Sequence, residues 1–317
     1  INTFFIADHN KKQEFKAKLT HIDDKKLAKF DIPNAQEAAS IVAELQKSTF
    51  SVNEIQKKQQ TRNPVAPFIT STLQQEASRK LGFNAKRTMQ VAQKLYEGVS
   101  IEGKDIGLIT YMRTDGVYIS GEAMDSIRAF IKKEFGDKYL NPTIRNYASK
   151  IKNAQEAHEA IRPVDVTLTP DKVKDSLKIE EYKLYDLIWK RTVASQMSSI
   201  VYDIMNIIIF GDKDNNKKKK ANWQLKATGS TVLFDGFHKV YKENKDEGSK
   251  KDESEDEIED ENGEQKLPIV TKDSILENTK SLEKQHFTEP PPRFTEASLV
   301  KELEELGIGR PSTYASI

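Results

Sequence analysis

The 317-residue sequence contains no cysteine. That excludes disulfides, thiolate zinc sites and a cysteine nucleophile, and it sits easily with a reducing compartment. Long apolar runs are missing too. The densest, Ile204 to Phe210, is interrupted by Asn206 and falls far short of the roughly 20 residues of a membrane span. The five histidines never approach metal-ligand spacing. No signal peptide heads the chain, which begins at Ile1 rather than Met. It stops at Ile317 just after a new helix start, so both ends read as cut and the chain as a piece of a larger protein. A hydrophobic content of 37% is still enough to build cores, and the length suggests about two domains.

Net charge is also nearly absent, with 50 Lys and Arg against 49 Asp and Glu, but the balance hides an asymmetry. Glu243 to Glu264 carries twelve acids and three bases, a local charge of −9 that leaves +10 on the rest. With Ile258 as its one apolar residue, this segment repels itself and buries nothing, so it is expected to be a disordered, solvated loop. The remaining basic body is a modest pointer to a polyanionic partner.

Hydrophobic periodicity divides the chain into β, helical and again β territory. Thr3–Ala7 and Phe15–Leu19 alternate like strands around a polar turn at His9–Lys12, and Ser51–Gln60 is a further extended stretch. A helix over 35–47 is capped by Asn34, with Ala38, Ile41, Val42 and Leu45 on one face. From Thr70 to Pro163 the pattern turns helical. One helix is capped by Thr70–Thr72 and ends at Gly82. A second is capped by Asn84, has Met89, Ala92, Leu95 and Tyr96 inward, and stops at Gly98. A third is capped by Ser120, and a fourth runs from Ala154 to Ile161 before Pro163. Beyond lie a long helix over about Glu180–Met197 and strands at Val201–Phe210, Trp223–Thr228, Val232–Tyr241 and Pro268–Thr271. A short last helix is capped by Thr295, with Leu299, Leu303 and Leu306 as its stripe.

Four stretches carry chemistry. In Gly107–Asp115, Tyr111 is flanked by Thr110, Arg113, Thr114 and Asp115. A phenol with a pKa near ~10 is a poor nucleophile unless its anion is stabilised, which Arg113 could do while also holding a phosphodiester oxygen. The plain alternative is a core tyrosine with a surface arginine. In Ala157–Pro163, His158 and Arg162 would share a helix face and suit a phosphate, or else simply complement a helix C-terminus. Gly307–Tyr314 has two glycines, Arg310, and Ser312 and Thr313 at what would be an exposed helix start, a natural anion site. The hydroxyls of Pro67–Gln75 could cap a helix or mark an interdomain hinge beside a ligand. Asp212–Asp214 imitates a metal pair but sits in a lysine-rich turn and reads as a solvated loop.

Taken in order, Pro67–Gln75, Gly107–Asp115, Ala157–Pro163 and Arg293–Ile317 resemble the central region of bacterial type IA DNA topoisomerases. Met112 stands where the topoisomerase III branch usually has proline. The resemblance implies an α+β multidomain fold. Residues 1–69 and 164–286 would form a discontinuous β-rich arch domain holding the acidic loop 243–264. Residues 70–163 would be an inserted helical domain with the catalytic tyrosine, and 287–317 the truncated start of a further helical domain. Tyr111 would form a 5′-phosphotyrosine link to one DNA strand. Arg113 would position the phosphate, and His158 would contact DNA and assist proton transfer. Arg162, Arg310, Ser312 and Thr313 would hold backbone phosphates. Exchange of one phosphodiester for another needs no ATP. Mg²⁺ would be bound by the acids of an N-terminal Toprim domain, a run that this sequence lacks, so no metal is expected here and the piece alone should not cleave DNA. The expected partners are single-stranded or negatively supercoiled DNA and the Toprim domain of the same chain. The expected state is a monomer, cytoplasmic and nucleoid-associated, with no membrane. Two other classes stay open: a non-catalytic single-strand-binding module, and a small-molecule enzyme or scaffold unrelated to DNA.

Overall fold

The computed structural model describes residues 1–7, 10–148, 158–213, 221–243 and 265–316. The expected acidic loop, apart from Glu243, lies outside them, as do Asp214 and the first part of the expected fourth helix. The fold is α+β with one large antiparallel sheet, and the chain divides into two compact units.

The first unit comprises the described residues of Ile1–Thr61, Val201–Phe234 and Asp252–Pro290. Its strands are β1 (Asn2–Ala7), β2 (Asn10–Ile22), β3 (Lys25–Lys26), β4 (Thr49–Arg62), β7 (Ile200–Asp212), β8 (Trp223–Phe234) and β9 (Ile275–Leu282). Their order is β1-β9-β4-β7-β8-β2-β3, and β2 also pairs with β1, so the sheet closes on itself. Burial alternates residue by residue along β1 and the first half of β8, as a sheet with one face on a core demands. That core stacks Phe5 on Phe15 and Phe50, with ring centroids 5.9 and 4.9 Å apart, beside Ile207, Ile209, Trp223 and Leu225. Helix α1 (Ala35–Lys47) covers it with Ile41, Val42 and Leu45, and Asn34 Oδ1 caps it by accepting from Glu37 N at 2.9 Å.

The second unit comprises the described residues of Arg62–Ile200, Asp235–Lys251 and Pro291–Ile317. It holds α2 (Thr70–Leu81), α3 (Ala85–Glu97), the hairpin β5 (Val99–Ile101) and β6 (Lys104–Ile106), α4 (Gly121–Phe135), the single turn α5 (Pro170–Val173), α6 (Ile179–Gln196) and α7 (Glu296–Glu305). Residues 164–200 and 235–243, grouped with the strands in the sequence reading, pack in this unit. Helix α6 is buried on nearly every side, and its large polar side chains are therefore paired. Trp189 Nε1 donates to Val166 O at 2.9 Å and Tyr185 Oη to Leu168 O at 2.6 Å. Arg191 Nε donates to Ala66 O at 2.6 Å, and its Nη1 reaches Tyr241 Oη at 3.2 Å and Glu243 Oε1 at 3.1 Å. Tyr241 Oη in turn donates to Glu76 Oε2 at 2.7 Å. Burial, ahead of the neighbouring charges, pushes the Tyr241 phenol strongly upward, so it remains a donor.

Several local expectations change. The expected strand Val232–Tyr241 is split: β8 runs through to Phe234, and Gly236–Lys239 is a 3₁₀ turn. Pro268–Thr271 is not a strand; the last strand is β9, further along. Residue 69, not a hydroxyl residue, occupies the N-cap of α2, while Thr72 Oγ1 accepts from Ile69 N at 3.0 Å. Helix α7 buries Ala297 and Val300 rather than the expected leucine stripe, leaving Leu306 63% exposed.

Candidate active site

Everything singled out around Tyr111 lies in the second unit. Two glycines let the motif enter and leave tightly packed positions. A Cβ on Gly107 would lie 2.7 Å from Tyr96 O, and one on Gly116 would lie 2.3 Å from His158 O. Leu108 N donates to Leu95 O at 2.7 Å, which docks the run against the end of α3. Leu108, Ile109 and Met112 are buried, so the backbone between the glycines is anchored by apolar side chains on alternate sides of Thr110 and Tyr111.

Extended backbone from Ala160 to Val164 braces it from the other side. Ile161 bridges to Phe68 and Pro163 to Ile109. Thr110 N donates to Arg162 O at 3.0 Å, and Val164 N to Leu108 O at 3.0 Å. Thr110 Oγ1 donates to Ala160 O at 2.6 Å and accepts from Arg162 N at 3.0 Å. The described part of the expected fourth helix, from His158 onward, is therefore extended, because its backbone groups are taken up by Phe68, Tyr118 and the Tyr111 run. His158 and Arg162 do not share a helix face there.

The first residue of α2 holds the far end of the motif. Thr70 is fully buried; its Oγ1 lies 2.8 Å from Met112 O and 3.0 Å from Thr114 O, and accepts from Thr114 N at 2.9 Å. Thr70 N donates to Thr114 O at 3.0 Å. Residues on both sides of Tyr111 and Arg113 are thus pinned while these two side chains stay accessible, Tyr111 partly and Arg113 openly.

The Tyr111 ring sits between two others. Tyr96 packs edge-on at 5.4 Å between centroids, and His158 lies tilted at 5.2 Å. Tyr96, expected to point inward, is 40% exposed and faces Tyr111 instead. No hydrogen bond occupies Tyr111 Oη among the described residues. Arg113 Nη1 donates to Ser312 O at 3.2 Å, which brings the Gly307–Tyr314 stretch to the tyrosine motif. Arg310, Ser312 and Thr313 are exposed. The expected helix start there is a series of turns, in which Arg310 N donates to Thr313 Oγ1 at 2.8 Å and Thr313 N to Arg310 O at 2.8 Å. Arg162 is different: it is buried, with Nη2 2.6 Å from Glu159 Oε2 and Nη1 donating to Pro163 O at 2.9 Å. Its guanidinium is committed to the brace.

Sequence reasoning singled out Tyr111, Arg113, His158, Arg310, Ser312 and Thr313; the structure packs the Tyr111 and His158 rings together and links Arg113 to the Ser312 turn. It missed Tyr96 as a neighbour of the phenol and Thr70 as a clamp. The one local signal for Thr70 was its hydroxyl at a helix start. Among the described residues, no group of three or more His, Cys, Asp or Glu could hold a metal ion, and no helix is long and apolar enough to cross a membrane.

The site thus presents a partly exposed phenol between two aromatic rings on a clamped loop, and the chain belongs to the DNA topoisomerase family, whose model matches residues 3–317. Among similar proteins is DNA topoisomerase 1 of Rickettsia felis, 55% identical over 303 residues, covering 96% of this chain and 37% of the relative. DNA topoisomerase 1 of Xylella fastidiosa (Temecula1) is 45% identical over 309 residues, covering 96% and 36%. The structure of full-length topoisomerase I from Thermotoga maritima matches with a TM-score of 0.68 and 33% identity, over 99% of this chain and 45% of that one. The chain thus spans little more than a third of the length of these curated relatives. It is a central portion of a bacterial type IA topoisomerase, and the full-length relatives carry the name of an isomerase.

Proposed function

We propose that Tyr111 is the nucleophile of a type IA topoisomerase that relaxes negatively supercoiled DNA without ATP. Tyr111 Oη attacks a backbone phosphorus of one strand. A 5′-phosphotyrosine ester forms, the P–O3′ bond breaks, and the 3′-oxygen leaves as a hydroxyl after taking up a proton. Religation reverses each step, so the bond energy is kept and supercoiling supplies the drive. Arg113 offers its remaining N–H groups to the non-bridging oxygens and opposes the charge that grows on them. His158, ring against ring with Tyr111, contacts the strand and assists proton movement. Arg310, Ser312 and Thr313 hold neighbouring phosphates, contacts that give affinity without reading sequence and weaken with salt. Arg162 serves this strand as a brace and reaches phosphate only if its pair with Glu159 gives way.

The strand unit takes the role of the arch, and 291–316 that of the start of a further helical domain. On this reading Mg²⁺ would be held by acids of a Toprim domain rather than by the residues of this stretch, and no step here runs through it. The same reading expects this stretch alone to be inactive in cleavage. The parent acts as a cytoplasmic monomer on single-stranded regions of DNA.

The observation that carries this reading is the Tyr111 phenol, unbonded among the described residues and held between the Tyr96 and His158 rings, with the exposed Arg113 two positions on. The test is to trap the parent enzyme on a labelled oligonucleotide, digest it and identify the adducted side chain. Label on Tyr111 supports the proposal; label on another residue, or an adduct formed by Tyr111→Phe, refutes it. Salt-sensitive binding that persists without any adduct would favour the non-catalytic binding module.

A further inference from the structure

The core does not account for the ring beside Tyr111. Helix α3 closes its inner face with Thr88, Met89, Val91, Ala92 and Leu95, all buried. Tyr96, the next residue, keeps 40% of its surface open. Its position is nevertheless fixed by the main chain. Leu95 O accepts from Leu108 N at 2.7 Å, and Tyr96 O lies 2.7 Å from where a Cβ on Gly107 would sit, so the side chain missing at 107 lets the two backbones meet this closely. The hairpin of β5 and β6, with Val99 paired to Ile106, closes the chain between the same two stretches. Tyr96 is thereby built onto the Tyr111 loop, and the two rings meet at 5.4 Å between centroids and 65° between planes. The result is a half-open aromatic surface, held within one ring's width of the phenol and not consumed by packing. A strand lying along the exposed cations would have its phosphates met by charge, whereas its bases need flat apolar surface, which Tyr96 supplies.

We propose that Tyr96 is a DNA-binding residue that stacks on the base of a nucleotide flanking the phosphate attacked by Tyr111. The inference rests on the strand-transfer reading above and adds a base contact to its phosphate contacts. Every base has a π face, so the contact holds the strand without reading its sequence. The pinned backbone of Tyr96 leaves little freedom to lose on binding. A base held there fixes its own sugar and phosphate relative to the phenol, which is the alignment that attack on phosphorus requires.

The test couples the ring to the base. The parent enzyme carries Tyr111→Phe, which keeps the neighbouring ring and forbids the adduct. Its binding to an oligonucleotide with a defined cleavage site is compared with binding to the same oligonucleotide made abasic on either side of the scissile phosphate. Tyr96→Leu should weaken binding of the intact oligonucleotide about tenfold, the scale of one lost base stack, and should change binding of the matching abasic oligonucleotide by less than about twofold. Tyr96→Phe should bind as the original does. The tenfold loss should be the same at low and high salt, because no charge is removed. A fluorescent 2-aminopurine at the coupled position should be quenched on binding, and Tyr96→Leu should abolish that quenching. If Tyr96→Leu fails to fold, Tyr96→Met and the quenching in the Tyr96 enzyme decide. Equal losses on intact and abasic oligonucleotides at both positions, or no quenching at either, overturn the proposal and leave Tyr96 as a support for the Tyr111 ring alone. An adduct on a residue other than Tyr111 would sink the chemical reading without altering these binding ratios, so the two failures are distinguishable.

Discussion

Thr70→Val tests the clamp on the tyrosine loop at a single hydroxyl. Valine keeps the shape of threonine, so packing changes little and the effect isolates the hydrogen bonds. The hydroxyl accepts from Thr114 N at 2.9 Å and spends its one proton on Met112 O at 2.8 Å or Thr114 O at 3.0 Å. All of this is buried, and valine leaves the Thr114 N–H with no replacement. A buried donor left unpaired costs about 1–3 kcal/mol, which corresponds to roughly 5- to 150-fold in the population of the clamped loop. Urea unfolding should show that loss. The yield of covalent adduct in the parent enzyme should fall with it, while binding of single-stranded DNA, which depends on exposed cations, stays unchanged. Thr70→Ser, which restores the hydroxyl, should recover most of the adduct. A valine variant within about 0.5 kcal/mol of the original, with full adduct yield, would refute the clamp.

Other expectations follow from the same geometry. Arg113→Lys should keep DNA binding but lose much of the adduct rate, since an ammonium cannot reproduce the planar fork; single-turnover cleavage checks this. Gly116→Ala should cost about 1–3 kcal/mol by thermal or urea unfolding, because the new methyl collides with His158 O and pushes the bracing strand away. Arg191→Ala should be the most damaging of these, at about 3–5 kcal/mol, because it strips the buried partner from Glu243 and breaks the chain of bonds through Tyr241 to Glu76. Burial, ahead of its neighbours, raises the Glu304 carboxyl above its ordinary value. The folded state then holds that proton more tightly than the unfolded one. Its contribution to stability is full below the ordinary carboxylate range and is lost as pH rises through the raised value. Glu304→Gln should therefore raise Tm at neutral pH, with the gain vanishing in acid; a gain independent of pH would contradict the burial.

What could be read from sequence were features whose cause is local. Asn34, Asn84 and Thr295 cap helices through bonds to residues three positions on, and each was visible as a side chain followed by a periodic run. Features settled at long range were not visible. His158 to Ile161 has helical spacing on paper, but its partners are Phe68, Thr110 and Tyr118, and tertiary pairing wins over local preference. Strand β9 is half polar and offers little alternation; its place is set by β1 and β4. The leucines of α7 looked like its buried stripe, but Ala297 and Val300 allow the closer approach to α2. At the site, residue types announced Tyr111 and Arg113, whereas the meeting of Arg113 with Ser312 spans 199 positions and no spacing rule gives it. The pairing of Arg162 was hidden for a related reason, since Glu159, which meets its guanidinium, was read only as part of a helix.

The closed strand order has a consequence for how the protein is made. Strand β1 finds one neighbour at once in β2, but its other neighbour is β9, whose Leu282 faces Asn2. At roughly 5–20 residues per second, that partner leaves the ribosome on the order of tens of seconds later. Until then the first strands have an unpaired border, while the helices between them can already pack among themselves. Synthesis should therefore yield a folded interior before a finished ring, and the nascent chain should depend on chaperones until β9 emerges.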